Sequence, residues 1–390
     1  MKNSYDVVVV GGGPGGCMAA LHAAKNGATV CVLEKTRDIG YPVRCGEAMG
    51  EEAIKQFFKP KKSWIASTIK GCRIFSPDGT AINIPFKKEH GYVLNRRIFD
   101  YDISLMASSH GAEIYTKSYV SSAKKNNTGY TIDLEYLGEP RTINSKILIG
   151  ADGVDSRVGR WAGIKTQVKM KDMESCVQYS VGNIDLDVNI MDMYVGKNIA
   201  PGGYLWVFPK GEGFANIGIG VSGKYSREKS AISYIDDFIQ SKYPKATIHT
   251  TMCGGVPCAK PLKKPISDGL MLVGDAAHFV NPLTGGGIAS AMKSGMFAGQ
   301  VASESIKNND ISEKFLNKYI KLCKQDFSKR HTRIYNVKET IQKITDKEMN
   351  QMANKINKSP SEVTLAKVFK TAVLSKPSLI IDVMRMFSGF

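Results

Sequence analysis

The chain has no run of about 18 apolar residues free of glycine, proline and charge, so a membrane-spanning helix is not expected. Histidine is scarce, at six residues. The eight cysteines (Cys17, Cys31, Cys45, Cys72, Cys176, Cys253, Cys258 and Cys323) form no CxxC pair and no Cys/His cluster. That spacing argues against a zinc or iron–sulfur centre, so no metal is expected, and it suits a reducing cytoplasm. No secretory signal pattern precedes the first apolar strand, and no long repeat or low-complexity linker interrupts the chain. Acid is also in short supply. There are 36 Asp and Glu against 53 Lys and Arg, a net charge of +17. A nucleic-acid partner would need a recognition motif, and none is present. A Lys-rich solvated surface and a surface for anionic lipid headgroups or an acidic electron donor both remain open. From Val301 onward 17 Lys and Arg face 9 Asp and Glu. There, 368–376 and 379–387 are apolar stretches flanked by Lys and Arg. They suit an interfacial helix and an ordinary packed C-terminal helix equally.

What is present is a core-forming composition, 43% apolar over 390 residues, enough for two or three domains. Its clearest feature lies near the start. Val7-Val8-Val9-Val10 reads as a buried parallel strand and runs into Gly11-x-Gly13-Pro14-Gly15-Gly16. Gly11 permits the strand-to-helix turn. Gly13 lets backbone touch a pyrophosphate, and Gly16 lets the helix lie close on the sheet. The helix N-terminus then offers free N–H groups to phosphate. A second strand, 28–33, ends on Glu34, placed to accept from a ribose diol. The pattern predicts dinucleotide binding.

The kind of dinucleotide is read downstream. Strand 270–273 ends in Gly274-Asp275, and Asn281-Pro282-Leu283-Thr284-Gly285-Gly286-Gly287-Ile288 leads into a second small-residue helix. A nicotinamide domain has no need of this second site, whereas FAD has a ribityl chain and a flavin ring to hold. Asp275 suits the ribityl hydroxyls. The N–H groups at Gly287 and Ile288 suit the pyrimidine edge, where charge gathers on reduction. A third marker is Ile147-Leu148-Ile149-Gly150-Ala151-Asp152-Gly153.

With these three markers in order, the sequence resembles the flavoprotein hydroxylase superfamily. It more closely resembles the geranylgeranyl reductase family, and within it the archaeal branch acting on digeranylgeranylglycerophospholipids. The narrower likeness is carried by Pro42-Val43-Arg44-Cys45-Gly46-Glu47-Ala48, Pro201-x-x-Tyr204-x-Trp206-x-Phe208-Pro209-Lys210 and Gly218-x-Gly220. It runs from about Tyr5 to about Gln300, the rest matching mainly in being helical. The implied fold is α/β: a glutathione-reductase-type FAD-binding Rossmann domain, an inserted antiparallel β-sheet substrate domain and a helical C-terminal region. Residues 1–60, 90–165 and 266–300 would form the FAD domain. The sheet domain would take 61–89 and 166–265, and the helical region 301–390. Residues 165–265 alternate as an antiparallel sheet does.

The resemblance implies an FAD-dependent reductase that saturates C=C bonds of geranylgeranyl chains in archaeal-type ether phospholipids. Hydride would come from N5 of reduced flavin, with a proton added. The Arg44–Ala48 loop would run along the FAD, with Arg44, Cys45, Gly46 and Ala48 as contacts. Cys45 would stand near the flavin, or else be a structural cysteine in a tight turn. Glu47 fits both a proton donor and a helix cap. Arg96 would reach FAD oxygens, or form a surface ion pair, and the main chain of Val120 would meet the adenine. Tyr204, Trp206 and Phe208 alternate along one strand, so they share a face. They suit plain core, or a channel wall for an apolar chain, which the resemblance favours. The electron donor stays open among a ferredoxin, a reduced deazaflavin and a nicotinamide. The expected location is cytoplasmic, peripheral on the inner face of the cell membrane. Two other functions fit the FAD elements: a monooxygenase of an aromatic or polyene substrate, and an electron-transfer flavoprotein reducing a quinone.

Overall fold

The computed structural model describes residues 1–87, 89–359, 363, 364, 367, 368 and 371. The chain divides into two compact units. The first comprises Met1–Val43, Arg96–Val168 and Ala259–Thr332. The second comprises Arg44–Asn95, Lys169–Cys258 and the described residues from Arg333 on.

The first unit is built on an eight-stranded sheet. Strand β1 (Ser4–Val10) lies parallel between β2 (Val30–Leu33) and β11 (Glu139–Gly150). Beyond β2 comes β8 (Glu113–Tyr115), and beyond β11 come β18 (Leu270–Leu272) and β17 (Ile266–Ser267). The antiparallel strands β9 (Ser118–Asn126) and β10 (Gly129–Tyr136) branch from β11. Val7, Val8 and Val9 are fully buried, as are Ile147, Leu148 and Ile149. A central parallel strand is covered on both faces, which is why these segments are unbroken apolar runs. The helices here are α1 (Pro14–Lys25), α3 (Arg96–Ser109), α4 (Arg157–Trp161), α6 (Ile288–Lys307) and α7 (Glu313–Cys323). Helices α1 and α6 touch backbone to backbone. A Cβ on Gly295 would sit 2.0 Å from the Gly15 carbonyl oxygen, and one on Gly299 would sit 2.3 Å from that of Ala19.

The second unit holds a seven-stranded sheet in the order β16 (Thr247–Pro257), β12 (Met173–Gly182), β15 (Ala215–Ser222), β14 (Tyr204–Pro209), β13 (Ile190–Tyr194), β5 (Gly71–Phe75), β6 (Ala81–Pro85). All its pairs are antiparallel except β13 with β5. A smaller sheet joins β3 (Ala48–Gly50), β7 (Gly91–Leu94) and β4 (Ile65–Ile69). On one face of the large sheet Val177, Leu205, Val207, Ile217 and Ile219 pack with Ile235 and Ile239 of α5 (Ala231–Lys242). On the other, Trp206 and Phe208 pack with Ile69 and Val93. The short α2 (Glu51–Lys55) follows β3, α8 (Lys329–Ile341) leads into this unit, and α9 (Asp346–Lys358) sets Ala353 and Ile356 against Cys72, Ile82 and Ile84.

Several expectations differ from what is seen. Residues 44–60 belong to the second unit, because β3 pairs with β7 there. The residues after 300 form no unit of their own: those to Thr332 belong with the first, and the described ones beyond with the second. A helix, α5, interrupts the expected run of strands. Ser230 caps it, its hydroxyl accepting from the Ser233 N–H, and Ala231, Ile235 and Ile239 recur at helical spacing. The candidate interfacial stretches at 368–376 and 379–387 lie outside the described residues, apart from 368 and 371.

Candidate functional site

In the first unit the residues expected to hold a dinucleotide converge at the carboxyl ends of β1, β2, β11 and β18. Gly11 takes φ +106°, and a Cβ there would lie 2.3 Å from the Ala151 carbonyl oxygen. A Cβ on Gly16 would lie 1.9 Å from the carbonyl oxygen of Gly11, so only glycine lets α1 start this close to the turn. At Gly13, the N-cap, nothing lies within 4 Å of an added Cβ, so the backbone there is open to a ligand. Glu34 is held at the glycine loop. Its Oε2 accepts from the Gly12 N–H at 2.7 Å, and its Oε1 accepts from the Thr36 N–H and hydroxyl at 2.8 Å each. Its carbonyl accepts from the Ser118 N–H at 2.8 Å, which starts the strand carrying the buried Val120 beside it.

Asp275 stands in the turn between β18 and α6. A Cβ on Gly287, the N-cap of α6, would be 3.2 Å from its Oδ1. Ile288 opens that helix, and Gly15 sits against its carbonyl at Ala291, 3.1 Å from an added Cβ. Burial pushes the Asp275 carboxyl up to about 6, while the Arg96 guanidinium pulls it the other way. Arg96 is not a surface residue. It pairs bidentately with Asp100, both bonds 2.6 Å, with side chains 12% and 3% exposed.

One buried acceptor here lacks a protein donor. The buried Oδ1 of Asp152 has no partner, while its Oδ2 accepts from the Val158 N–H at 2.9 Å. An open helix N-terminus, a fixed Glu34 and the carboxylates of Asp152 and Asp275 fit the pyrophosphate, ribose and ribityl groups of FAD.

The second unit holds the Arg44–Ala48 loop. Cys45 is tied down at both ends. Its sulfur accepts from the Glu47 N–H at 3.2 Å, and its carbonyl accepts from Gln178 Nε2 at 2.9 Å. The same Gln178 takes the Trp206 indole N–H on its Oε1 at 3.2 Å. Gly46 rests on the aromatics: a Cβ there would be 3.0 Å from the Phe208 ring and 3.3 Å from Trp206 Nε1. Glu47 has the left-handed φ of 68°, uncommon for a residue with a Cβ. It is held there by three bonds. Its Oε2 accepts from Lys210 Nζ at 2.8 Å and Asn216 Nδ2 at 2.6 Å, and its carbonyl accepts from the Leu94 N–H. Glu47 therefore sits in a buried ion pair and caps no helix. Ala48 pairs with Val93, and Arg44 lies near Gly254.

Tyr204, Trp206 and Phe208 do share one face, with centroids 5.7 and 6.1 Å apart along the row. Opposite Trp206 stands Gly218, and a Cβ there would come within 2.2 Å of the indole ring. The glycine lets the indole lie across the sheet. Cys253 pairs with Val177, so it faces away from this wall. A groove of 1230 Å³ in the same unit, bordered by Ser67, Asn183, Gly211 and Lys242, contains none of these aromatics. Gln178, Lys210 and Asn216 are the participants that sequence reasoning assigned no role. Lys210 stood in a quoted motif, but its partner is 163 positions away, and no local pattern announces such a pair.

Comparison with known proteins gives two family matches. Residues 6–46 match an FAD binding domain, and residues 172–256 match a geranylgeranyl reductase catalytic domain. The chain is 42% identical to digeranylgeranylglycerophospholipid reductase 1 of Methanococcoides burtonii, over 90% of this chain and 88% of that one. It is 41% identical to the digeranylgeranylglycerophospholipid reductase of Methanocella arvoryzae, over 97% and 98%. The likeness therefore continues well past Gln300. Among solved structures, a geranylgeranyl bacteriochlorophyll reductase-like protein of Thermoplasma acidophilum superposes with a TM-score of 0.91 at 36% identity, covering 99% of this chain and 100% of that one. The chain belongs to the geranylgeranyl reductase family of FAD-dependent oxidoreductases, in its digeranylgeranylglycerophospholipid reductase branch.

Proposed function

We propose that this protein saturates C=C bonds in the geranylgeranyl chains of ether phospholipids. The observation that carries the reading is the seating of the Cys45 loop on an aromatic wall, with Gly46 against Phe208 and Trp206 and Gln178 strapping the two together. An isoprenoid chain offers no carbonyl or charge to grip. Its recognition has to be a matter of shape and apolar surface, which Tyr204, Trp206 and Phe208 supply.

In this reading the N–H groups of the Gly11–Gly16 turn hold the FAD pyrophosphate, Glu34 a ribose and Asp275 the ribityl chain. Arg96, locked by Asp100, adds positive charge. The N–H groups of Gly287 and Ile288 face the pyrimidine edge, and the Val120 main chain meets the adenine. When bound and reduced, FAD supplies the hydride. The wall keeps water from the alkene, and Cys45 and Glu47 flank Gly46, which rests on it. An isolated alkene is hard to polarise, so a proton must lead or accompany the hydride. The substrate is lipid-borne, and the +17 charge supports peripheral contact with an anionic membrane surface on the cytoplasmic side.

The test is anaerobic. Dithionite-reduced protein is given a geranylgeranyl ether lipid, and the lipid is weighed by mass spectrometry. A gain of two hydrogens per double bond, with flavin reoxidised, is the expected result. An unchanged lipid, with oxygen inserted into a substrate once air and NADPH are admitted, would move the protein to the monooxygenases.

A further inference from the structure

We propose that the outer edge of β16 is an interface at which two copies of this chain pair strand to strand. The two strands run antiparallel about a two-fold axis and join two seven-stranded sheets into one. The proposal goes beyond the reductase reading and does not depend on it.

Strand β16 ends the large sheet and pairs on one side, with β12. Among the described residues no strand lies on its other side, which is a row of backbone N–H and C=O groups. Every residue from Thr247 to Thr251 is exposed, as are Cys253 and Gly254. Its 11 residues make an edge about 37 Å long, about twice the ordinary strand.

A bare edge is a template for another chain, and proteins close such edges with cover, proline, charge or shortness. The other sheet edges among the described residues show these devices. Across the large sheet, β6 ends on Pro85 and is covered by α9, where Asn357 Nδ2 donates to the Ala81 carbonyl at 2.9 Å. In the small sheet β3 has three residues, and the Thr68 carbonyl on β4 accepts from Asn189 Nδ2 at 2.8 Å. In the first unit β8 and β17 have three and two residues, and the longer β9 carries Lys124 and Lys125. Strand β16 has none of these. It is long, its one proline is its last residue, and it holds no Asp, Glu, Lys or Arg in a chain with 53 basic residues.

That omission selects the occupant. At a net charge of +17, two copies repel wherever their lysines face each other, and an uncharged strand is where they can approach. An acidic partner would find no cation here to meet. The antiparallel edge is also its own complement, because a two-fold axis sets each outward donor against an acceptor. With the axis at Met252, the middle of the strand, Thr251 of one copy stands opposite Cys253 of the other. These two share a face, since they pair with Tyr179 and Val177, which pack on one side of the sheet. Ile248, 45% exposed, adds apolar surface beside the seam. An edge about 37 Å long and about 10 Å thick covers roughly 400 Å2 on each copy, half of a standard interface, so the pairing is weak, with a Kd on the order of 10 μM.

The test is sedimentation velocity of the full FAD-loaded chain from about 1 to 100 μM, a range that brackets this Kd. The wild type passes from monomer to dimer across it. The double variant Thr250→Lys, Thr251→Lys sets one cation on each face of the strand. It stays monomeric throughout, with the circular dichroism and melting temperature of the wild type. A second measurement needs no variant. Amide hydrogen exchange of the wild type slows at residues 247–257 at the high concentration relative to the low one. A wild type that is monomeric over the whole range overturns the proposal. A dimer that survives the double variant overturns it too, and so does protection that appears elsewhere and not at 247–257.

Discussion

At the scale of single residues, Glu47 and Lys210 form the ion pair on which the loop conformation depends, with side chains 7% and 17% exposed. Removing one partner leaves a buried charge, and Lys210→Met should cost about 3–5 kcal/mol. The double variant Glu47→Gln, Lys210→Met should recover part of that loss in urea denaturation. Equal instability of the two would show that the pair is not the source. Glu174 on β12, buried with no partner for its Oε2, makes the opposite kind of prediction. Its folded value near 7 stands above the ordinary 4.5, so the native state holds more protons between those values. Stability therefore falls as pH rises through that window. Glu174→Gln is free of this penalty. It should exceed the wild type by up to about 3 kcal/mol at pH 8, and the gap should close toward pH 4.5. A gap independent of pH would mean the carboxyl is already ionised throughout.

At the scale of elements, the contact of α1 with α6 sets the FAD-holding end of the first unit. Each helix begins at a glycine turn, and the two are registered by Gly295 against Gly15. Gly295→Ala must part them by pushing on backbone, which no rotamer change relieves. The protein should then purify with most of its FAD lost while still folded, read from the absorbance ratio and circular dichroism. Full retention of FAD would show that the helices have slack. Much of this end was legible in the sequence, because β1, its turn, α1 and Glu34 are contiguous and each glycine has a local reason. The α5 helix was not, because a sheet prediction carried across 229–243 outweighed a short amphipathic pattern. Its necessity is global: the Leu205 and Ile217 face of the large sheet needs a second layer. The Glu47, Lys210 and Asn216 cluster was equally hidden, since strands from distant parts of the chain assemble it.

At the scale of the whole molecule, the balance of 53 basic against 36 acidic residues bears on how a lipid-borne substrate is met. No helix among the described residues is long and apolar enough to cross a membrane. Attraction to anionic headgroups, worth about 1 kcal/mol per basic residue near the surface, would then bring protein and substrate together. The full chain should float with phosphatidylglycerol vesicles at low salt, stay behind with phosphatidylcholine, and come off as salt shortens the screening length to a few ångströms. Salt-independent flotation would point to apolar insertion instead. The family was legible from short motifs alone, but the division at residues 44–60 was not, because it depends on which strand β3 chooses as its partner.

The fit of the Trp206 indole over Gly218 also has an evolutionary consequence. Neither position can drift by itself: a side chain gained at 218 strikes the ring, and a ring lost at 206 opens a hole over bare backbone. Lineages of this enzyme that retune the wall for longer or shorter chains must change the two together, so their histories should read as one inherited unit.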